Sequence, residues 1–389
     1  MKRAVNPKHV LGIDALRFFA AMLVLFFHYL YLTGVQPDSY PGWASGRLVV
    51  FPEAYAWSHF GWVGVQIFFV VSGFVIAFSA EKASPFSFFS SRVVRLAPGT
   101  WICASVALAV TLTLTRGVNV HDTLMSFLNT ILFRPFGPWM DGTYWTLAIE
   151  IAFYAMVWVL IALRRFAWIR HLAIAIGLAS SGFWLAVTLV GPADASWIGG
   201  ILDRIRASRK FDLVLVHHGM FFALGVFLWL QLVVRATRAN WLWMGLFVAG
   251  GCLQIAAQSD AYNRQFGVFY SPATPLAIWL GALVFVVVSV RYNALLHRTP
   301  QALLRGLRMA GLMTFPLYLL HELSGAAVMG WAAASGLPAW PAFAVAVAAV
   351  LAASFAVAAY VEPSLQAATR VLLERARRLW NGVAAAFAR

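Results

Sequence analysis

What most limits the folds open to this chain is the recurrence of apolar runs long enough to cross a bilayer, near residues 10–32, 60–79, 97–114, 143–163, 171–190, 213–234, 241–257, 272–290, 310–333 and 341–361. A hydrocarbon layer about 30 Å thick is spanned by roughly 20 apolar helical residues. No water is present there to satisfy amides and carbonyls, so a run of this length must bond its backbone internally, as a helix. The predicted architecture is therefore all-α, a polytopic membrane bundle of about ten transmembrane helices. Composition agrees, because a chain 62% apolar and only 11% charged has too little polar surface to face water on all sides.

The charged minority sets an orientation. With the N-terminus in the cytoplasm, 20 of the 29 lysines and arginines fall in cytoplasmic segments and 8 in outer ones, leaving Arg17 within the first helix. The positive-inside rule then places both termini in the cytoplasm. The net charge of +15 is accounted for in this way and implies no nucleic-acid partner. Cys103 and Cys252 both lie in apolar segments without a His or Cys at ligand spacing, so neither a disulfide framework nor a metal site is expected. The first run is too long for a signal-peptide core, carries charges and lacks a small-residue cleavage pattern, so it is expected to be retained. His121 to Phe133 is too brief to cross and reads as a helix at the outer surface or partly re-entrant. From Gln366 the chain reads as a basic amphipathic helix on the inner leaflet, which divides it into a membrane part, 1–365, and a cytoplasmic tail, 366–389.

Ionisable groups inside spanning helices are costly and normally face a protein interior or a wet cavity, which makes each of them a site candidate. The first helix carries Asp14, Arg17 and His28. Eleven residues separate Arg17 from His28, so the two share one face roughly 16 Å apart along the axis. Arg92 and Arg95, three apart in SSRVVRLAP before the third span, could clamp a phosphate together with the hydroxyls of Ser90 and Ser91. Glu150, six residues into the fourth span, is expected at the depth of His28, where a carboxylate could orient the imidazole of a general base. In TFPLYLLHE, Pro316 is expected to kink or widen the ninth span just before Tyr318, His321 and Glu322, and Tyr318 and His321 share a face and could line a passage or hold a ligand. His217 and His218 are adjacent and so point apart on a helix, which makes them a poor metal pair. Buried charges and a proline-broken helix also suit a secondary transporter or channel, which would move solute without chemistry.

The ordered set of motifs resembles the acyltransferase 3 family of bacterial membrane O-acyltransferases. The resemblance is carried by DALRFFAAMLVLFFH with Arg17 and His28, GVQIFFVVSGF at 64–74, Arg92, Arg95 and Pro98, WTLAIEIAFY with Trp145, Glu150 and Tyr154, and PLYLLHE with Tyr318 and His321. One departure is Gln66, where many members carry an acid. The resemblance implies transfer of an acyl group, commonly acetyl, from cytoplasmic acyl-CoA to a hydroxyl of a cell-envelope glycan or lipid-linked sugar at the outer face of the bacterial inner membrane. On that footing Arg17, Arg92 and Arg95 would hold the CoA phosphates. His28, oriented by Glu150, would act as base or transient acyl carrier, and Trp145, Tyr318 and His321 would contact the substrate. Some members append a soluble hydrolase-like domain, and none is expected in this chain.

Overall fold

In a computed structural model, described over residues 10–115, 117–191 and 196–387, the chain is helical, with no strand among the described residues. Its principal elements are α1 (Leu11–Val35), α2 (Pro52–Ala80), α3 (Pro85–Leu114), α4 (Val120–Ile131), α5 (Tyr144–Ala162), α6 (Phe166–Val190), α7 (Trp197–Ala207), α8 (Gly219–Val234), α9 (Arg238–Phe266), α10 (Ala273–Arg291), α11 (Gln301–Ala334) and α12 (Ala339–Leu379). All but α4, α7 and α8 are long and apolar enough to cross a bilayer, which gives nine such helices among the described residues. The protein is a multi-pass membrane bundle. Of the charges that set the expected orientation, Lys2, Arg3, Lys8, Arg116 and Arg389 lie outside the described residues, as does Asp194.

The sixth predicted run forms the shorter α8, because 213–218 is spent on a turn with Leu215 at positive φ. From Gly219 to Trp229 every residue of α8 is buried, wedged between α2, α6 and α9. Glycine makes this possible: a Cβ on Gly73 would stand 2.2 Å from the Phe222 carbonyl oxygen, and one on Gly225 would stand 2.1 Å from that of Val70. Without a strong hydrophobic drive between helices in lipid, such backbone-to-backbone approach is what holds them. Helix α1 lies against α2, α10 and α11, and α12 packs on α11 and α3.

Two local expectations are revised. Helix α3 begins at Pro85, well before residue 97, because Ser84 caps it by accepting from the Ser87 amide and Pro85 supplies a pre-set first turn. Arg92 and Arg95 therefore project from a helix body that continues through Pro98. Likewise α11 runs through Pro316, and its distortion is a widened turn at His321–Gly325. A matching widened turn, Phe27–Leu32, carries His28 in α1. The helix of α12 continues from Glu362 to Phe387 without a break at 365, and the Arg377 guanidinium lies 4.6 Å from the Phe86 ring centre at the start of α3. The segment 121–133 forms α4, capped by the Asn119 side chain and exposed along most of its length.

Candidate active site

Two cavities open side by side along α1. The first is lined by Arg17 from α1, Ser72 from α2, Arg92 and Arg95 from α3, Glu150 and Tyr154 from α5, and Thr314 and Tyr318 from α11. Three guanidiniums and a single carboxylate, Glu150, line it among the described residues. The Ser72 hydroxyl donates to Glu150, and the Arg92 guanidinium lies 5.6 Å from the Tyr154 ring centre. The Ser90 and Ser91 hydroxyls donate to the carbonyls of Ser87 and Phe88 in their own helix, and Ser91 Oγ also accepts from Arg92 Nε at 3.2 Å, so of the two only Ser91 joins an arginine as expected. Such an excess of planar, fixed cations in a partly closed space matches a polyanion such as a phosphate-bearing ligand.

The second cavity holds about 230 Å³ of open space. It is lined by His28, Trp62, Gln66, Trp145, His218, Gln254, Gln258, Tyr262 and Glu322, among others. Val65 and Tyr318 line both cavities and so stand between them. The Thr146 hydroxyl donates to the Tyr318 hydroxyl at 3.1 Å. The Arg17–His28 stripe thus borders two chambers that share a wall.

His28 is not paired with Glu150. Its Nδ1 lies 2.7 Å from His321 Nε2, and its Nε2 lies 3.8 Å from Glu322 Oε1. The rings of His28 and His321 stack with centres 4.9 Å apart. Helix rotation explains the difference, since Glu150 faces the arginine cavity and matched depth does not imply a shared face. The tautomers follow from the partners. His321 Nδ1 lies 3.0 Å from the Tyr318 carbonyl and 3.2 Å from that of Leu317, which can only accept, so it carries the proton. In the neutral pair His321 Nε2 accepts from His28 Nδ1, which leaves the lone pair on His28 Nε2, beside Glu322.

The support for this pair was not legible from motifs. Tyr29 donates to the His321 carbonyl at 2.6 Å. Asp141, fully buried, accepts from the Leu323 amide through Oδ2 at 3.0 Å and from the amide and hydroxyl of Thr143 through Oδ1. Gly142 leaves room for the acid: a Cβ there would stand 2.5 Å from Glu322 Oε2. The adjacent histidines, read as a poor pair, are buried and share a carboxylate. Asp212 Oδ1 accepts from His217 Nδ1 at 2.6 Å and lies 3.5 Å from His218 Nε2. Burial alone would raise the Asp212 carboxyl, but the bonds from His217 and His218 outweigh it and hold the group below the usual carboxylate range. Arg209 pairs with the other Asp212 oxygen at 3.2 Å and donates to the Trp145 carbonyl. Only the turn chemistry around Leu215 brings Asp212 to both rings, and sequence spacing carries no sign of it.

Among the described residues no cluster of three or more His, Cys, Asp or Glu is placed to hold a metal ion. Of the predicted site residues, Arg17, Arg92, Arg95 and Glu150 share the first cavity, and His28 and Trp145 line the second. Tyr318 lines both, and His321 stands behind His28.

A family model described as an acyltransferase domain matches residues 10–359. Nodulation protein 10 of Rhizobium leguminosarum bv. viciae is 28% identical over 218 residues, 42% of this chain and 59% of that protein. Peptidoglycan O-acetyltransferase OatA of Listeria monocytogenes serovar 1/2a is 28% identical over 242 residues, 55% of this chain and 34% of that protein. In both cases less than two thirds of the relative is covered. No solved structure matches the chain significantly.

Proposed function

Because the chain belongs to the acyltransferase 3 family, we propose that it is a membrane O-acyltransferase of the bacterial inner membrane. It takes an acyl group, acetyl in the first instance, from cytoplasmic acyl-CoA and places it on a hydroxyl of a cell-envelope glycan or lipid-linked sugar at the outer face. The observation that carries this reading is the adjacency of a three-arginine cavity and an imidazole chamber that share Val65 and Tyr318 as a wall. The activity named for the Listeria relative supports the choice of acetyl and of a glycan.

In this reading Arg17, Arg92 and Arg95 grip the CoA phosphates, and the pantetheine arm passes the Tyr318 ring into the second chamber. His28 Nε2 takes the proton of the acceptor hydroxyl as its oxygen attacks the thioester carbonyl. The new C–O bond forms, the C–S bond breaks, and the proton passes from the imidazolium to the departing thiolate. His321, with Nδ1 held by two carbonyls, fixes the His28 ring, and Glu322 stabilises its cationic form. Glu150 neutralises part of the arginine cluster.

The test uses membranes supplied with acetyl-labelled acetyl-CoA. His28→Ala is expected to cut transfer by about a hundredfold to ten-thousandfold and to spare acetyl-CoA binding. Arg92→Ala is expected to weaken that binding by about tenfold or more. The reverse pattern would overturn the assignment, and solute flux without acetyl-CoA consumption would replace the enzyme with a transporter.

A further inference from the structure

The second chamber contains more polar groups than the histidine pair requires. Gln66 from α2 and Gln254 from α9 are almost fully buried, and the Gln66 amide nitrogen points to Gln254 Oε1 at 3.4 Å. That contact leaves Gln66 Oε1 buried with no hydrogen-bond partner. His218, also buried, is in the same condition: its Nε2 faces Asp212, and its Nδ1 has no partner. Gln258, half-buried one turn along α9 from Gln254, lines the same space. Unsatisfied buried polar atoms are few in native proteins and each costs roughly 1–3 kcal/mol. Glu322 Oε2 is a third on the same walls, and three in one cavity indicate a ligand or solvent that completes them.

The chemistry of that ligand is constrained from three sides. The orphan atoms are all acceptors, so the ligand must donate hydrogen bonds. No lysine or arginine lines this chamber among the described residues, in contrast to the cavity beside it. An anionic group therefore has no fixed countercharge here. Finally, Trp62, Trp145 and Tyr262 offer aromatic faces among the amides. A neutral sugar meets these terms: its hydroxyls donate, it brings no negative charge, and its ring C–H groups can lie on aromatic faces.

We propose that Gln66, Gln254, Gln258 and His218 form the acceptor subsite, and that it reads an uncharged sugar ring by its hydroxyls, inside the bundle and within reach of His28. His218 acts here by binding, accepting a sugar hydroxyl at Nδ1, with Asp212 as the residue that fixes its tautomer. The acceptor role rests on the transferase reading above. The space, at about 230 Å³, is several times the roughly 30 Å³ share of a water molecule and is large enough for more than isolated solvent.

The experiment measures equilibrium binding of a labelled, neutral N-acetylhexosamine tetrasaccharide to the full chain in lipid nanodiscs, with an oligogalacturonate of equal length as the charged control. Acetyl-CoA consumption is followed on the same samples. Saturable binding of the neutral probe is expected, with binding of the oligogalacturonate at least tenfold weaker. Gln254→Leu and Gln258→Leu should each weaken neutral-probe binding by about tenfold while leaving the KM for acetyl-CoA within twofold. Gln258, being less buried, keeps the test valid where Gln254→Leu misfolds. Absence of saturable probe binding, equal binding of the charged control, or variants that change only the acetyl-CoA KM would each overturn the subsite. Sugar binding without any acetyl-CoA consumption would instead overturn the transferase reading and leave the subsite standing.

Discussion

Glu150 shows how a single side chain changes meaning once its neighbours are known. Its position six residues into α5 suggested a partner for His28, yet it accepts from Ser72 inside the arginine cavity. There its charge competes with a phosphate for the same guanidiniums. Glu150→Gln is therefore expected to lower the KM for acetyl-CoA by about fivefold, the order of a partly screened charge pair, with kcat within about the same factor of the parent. A kcat loss comparable to that of His28→Ala, read from steady-state kinetics, would return Glu150 to the imidazole. Gly142 carries the opposite lesson, since nothing in its sequence context marks it. An added Cβ would meet Glu322 Oε2 at 2.5 Å. Gly142→Ala should push the carboxylate off His28 and lower kcat by about a hundredfold, with the thermal midpoint in detergent as the check that the bundle survives.

Both histidines of the pair sit where a helix widens, at Phe27–Leu32 in α1 and His321–Gly325 in α11. Such turns leave backbone groups to be satisfied elsewhere, and Tyr29 and Asp141 do so for α11 by bonding the His321 carbonyl and the Leu323 amide. Apolar periodicity cannot register an extra residue in one turn, so the widening of α1 could not be read from the pattern, while that of α11, expected just before Tyr318 from Pro316, falls at His321–Gly325. Gly61, Gly64 and Gly73 in α2 stand where α1 and α8 come nearest, while Ser72 beside them bonds Glu150. Gly73→Leu should destabilise the bundle by at least about 1–3 kcal/mol through its clash with the Phe222 backbone, read as a lowered thermal midpoint in detergent. An unchanged midpoint would mean that the α2–α8 crossing is looser than described.

For the bundle as one body, the remaining expectation is its orientation, and α8 decides it. If the shorter α8 crosses, the α10–α11 connection returns to the cytoplasm; if it does not, that connection lies outside. Single cysteines at Asp38 and Arg298, both exposed, test this in a background with Cys103 and Cys252 changed to serine. An impermeant maleimide applied to intact cells is expected to label position 38 and not 298. Labelling of both would place α8 as a helix that does not cross and would invert everything after it.

Nine of the ten expected runs were legible as helices long enough to cross because a bilayer imposes one length requirement on every run, and that requirement is local; the sixth came out shorter, as α8. The same holds for which ionisable residues lie within the spans, since few are tolerated in such runs. What needed tertiary structure was pairing. Whether His28 meets Glu150, His321 or Glu322 depends on the rotation of each helix about its axis, and whether Asp212 reaches two histidines depends on a turn that periodicity does not encode. Rotation and turn are set by side chains packing from distant parts of the chain, so one sequence segment contains only half of the information that fixes them.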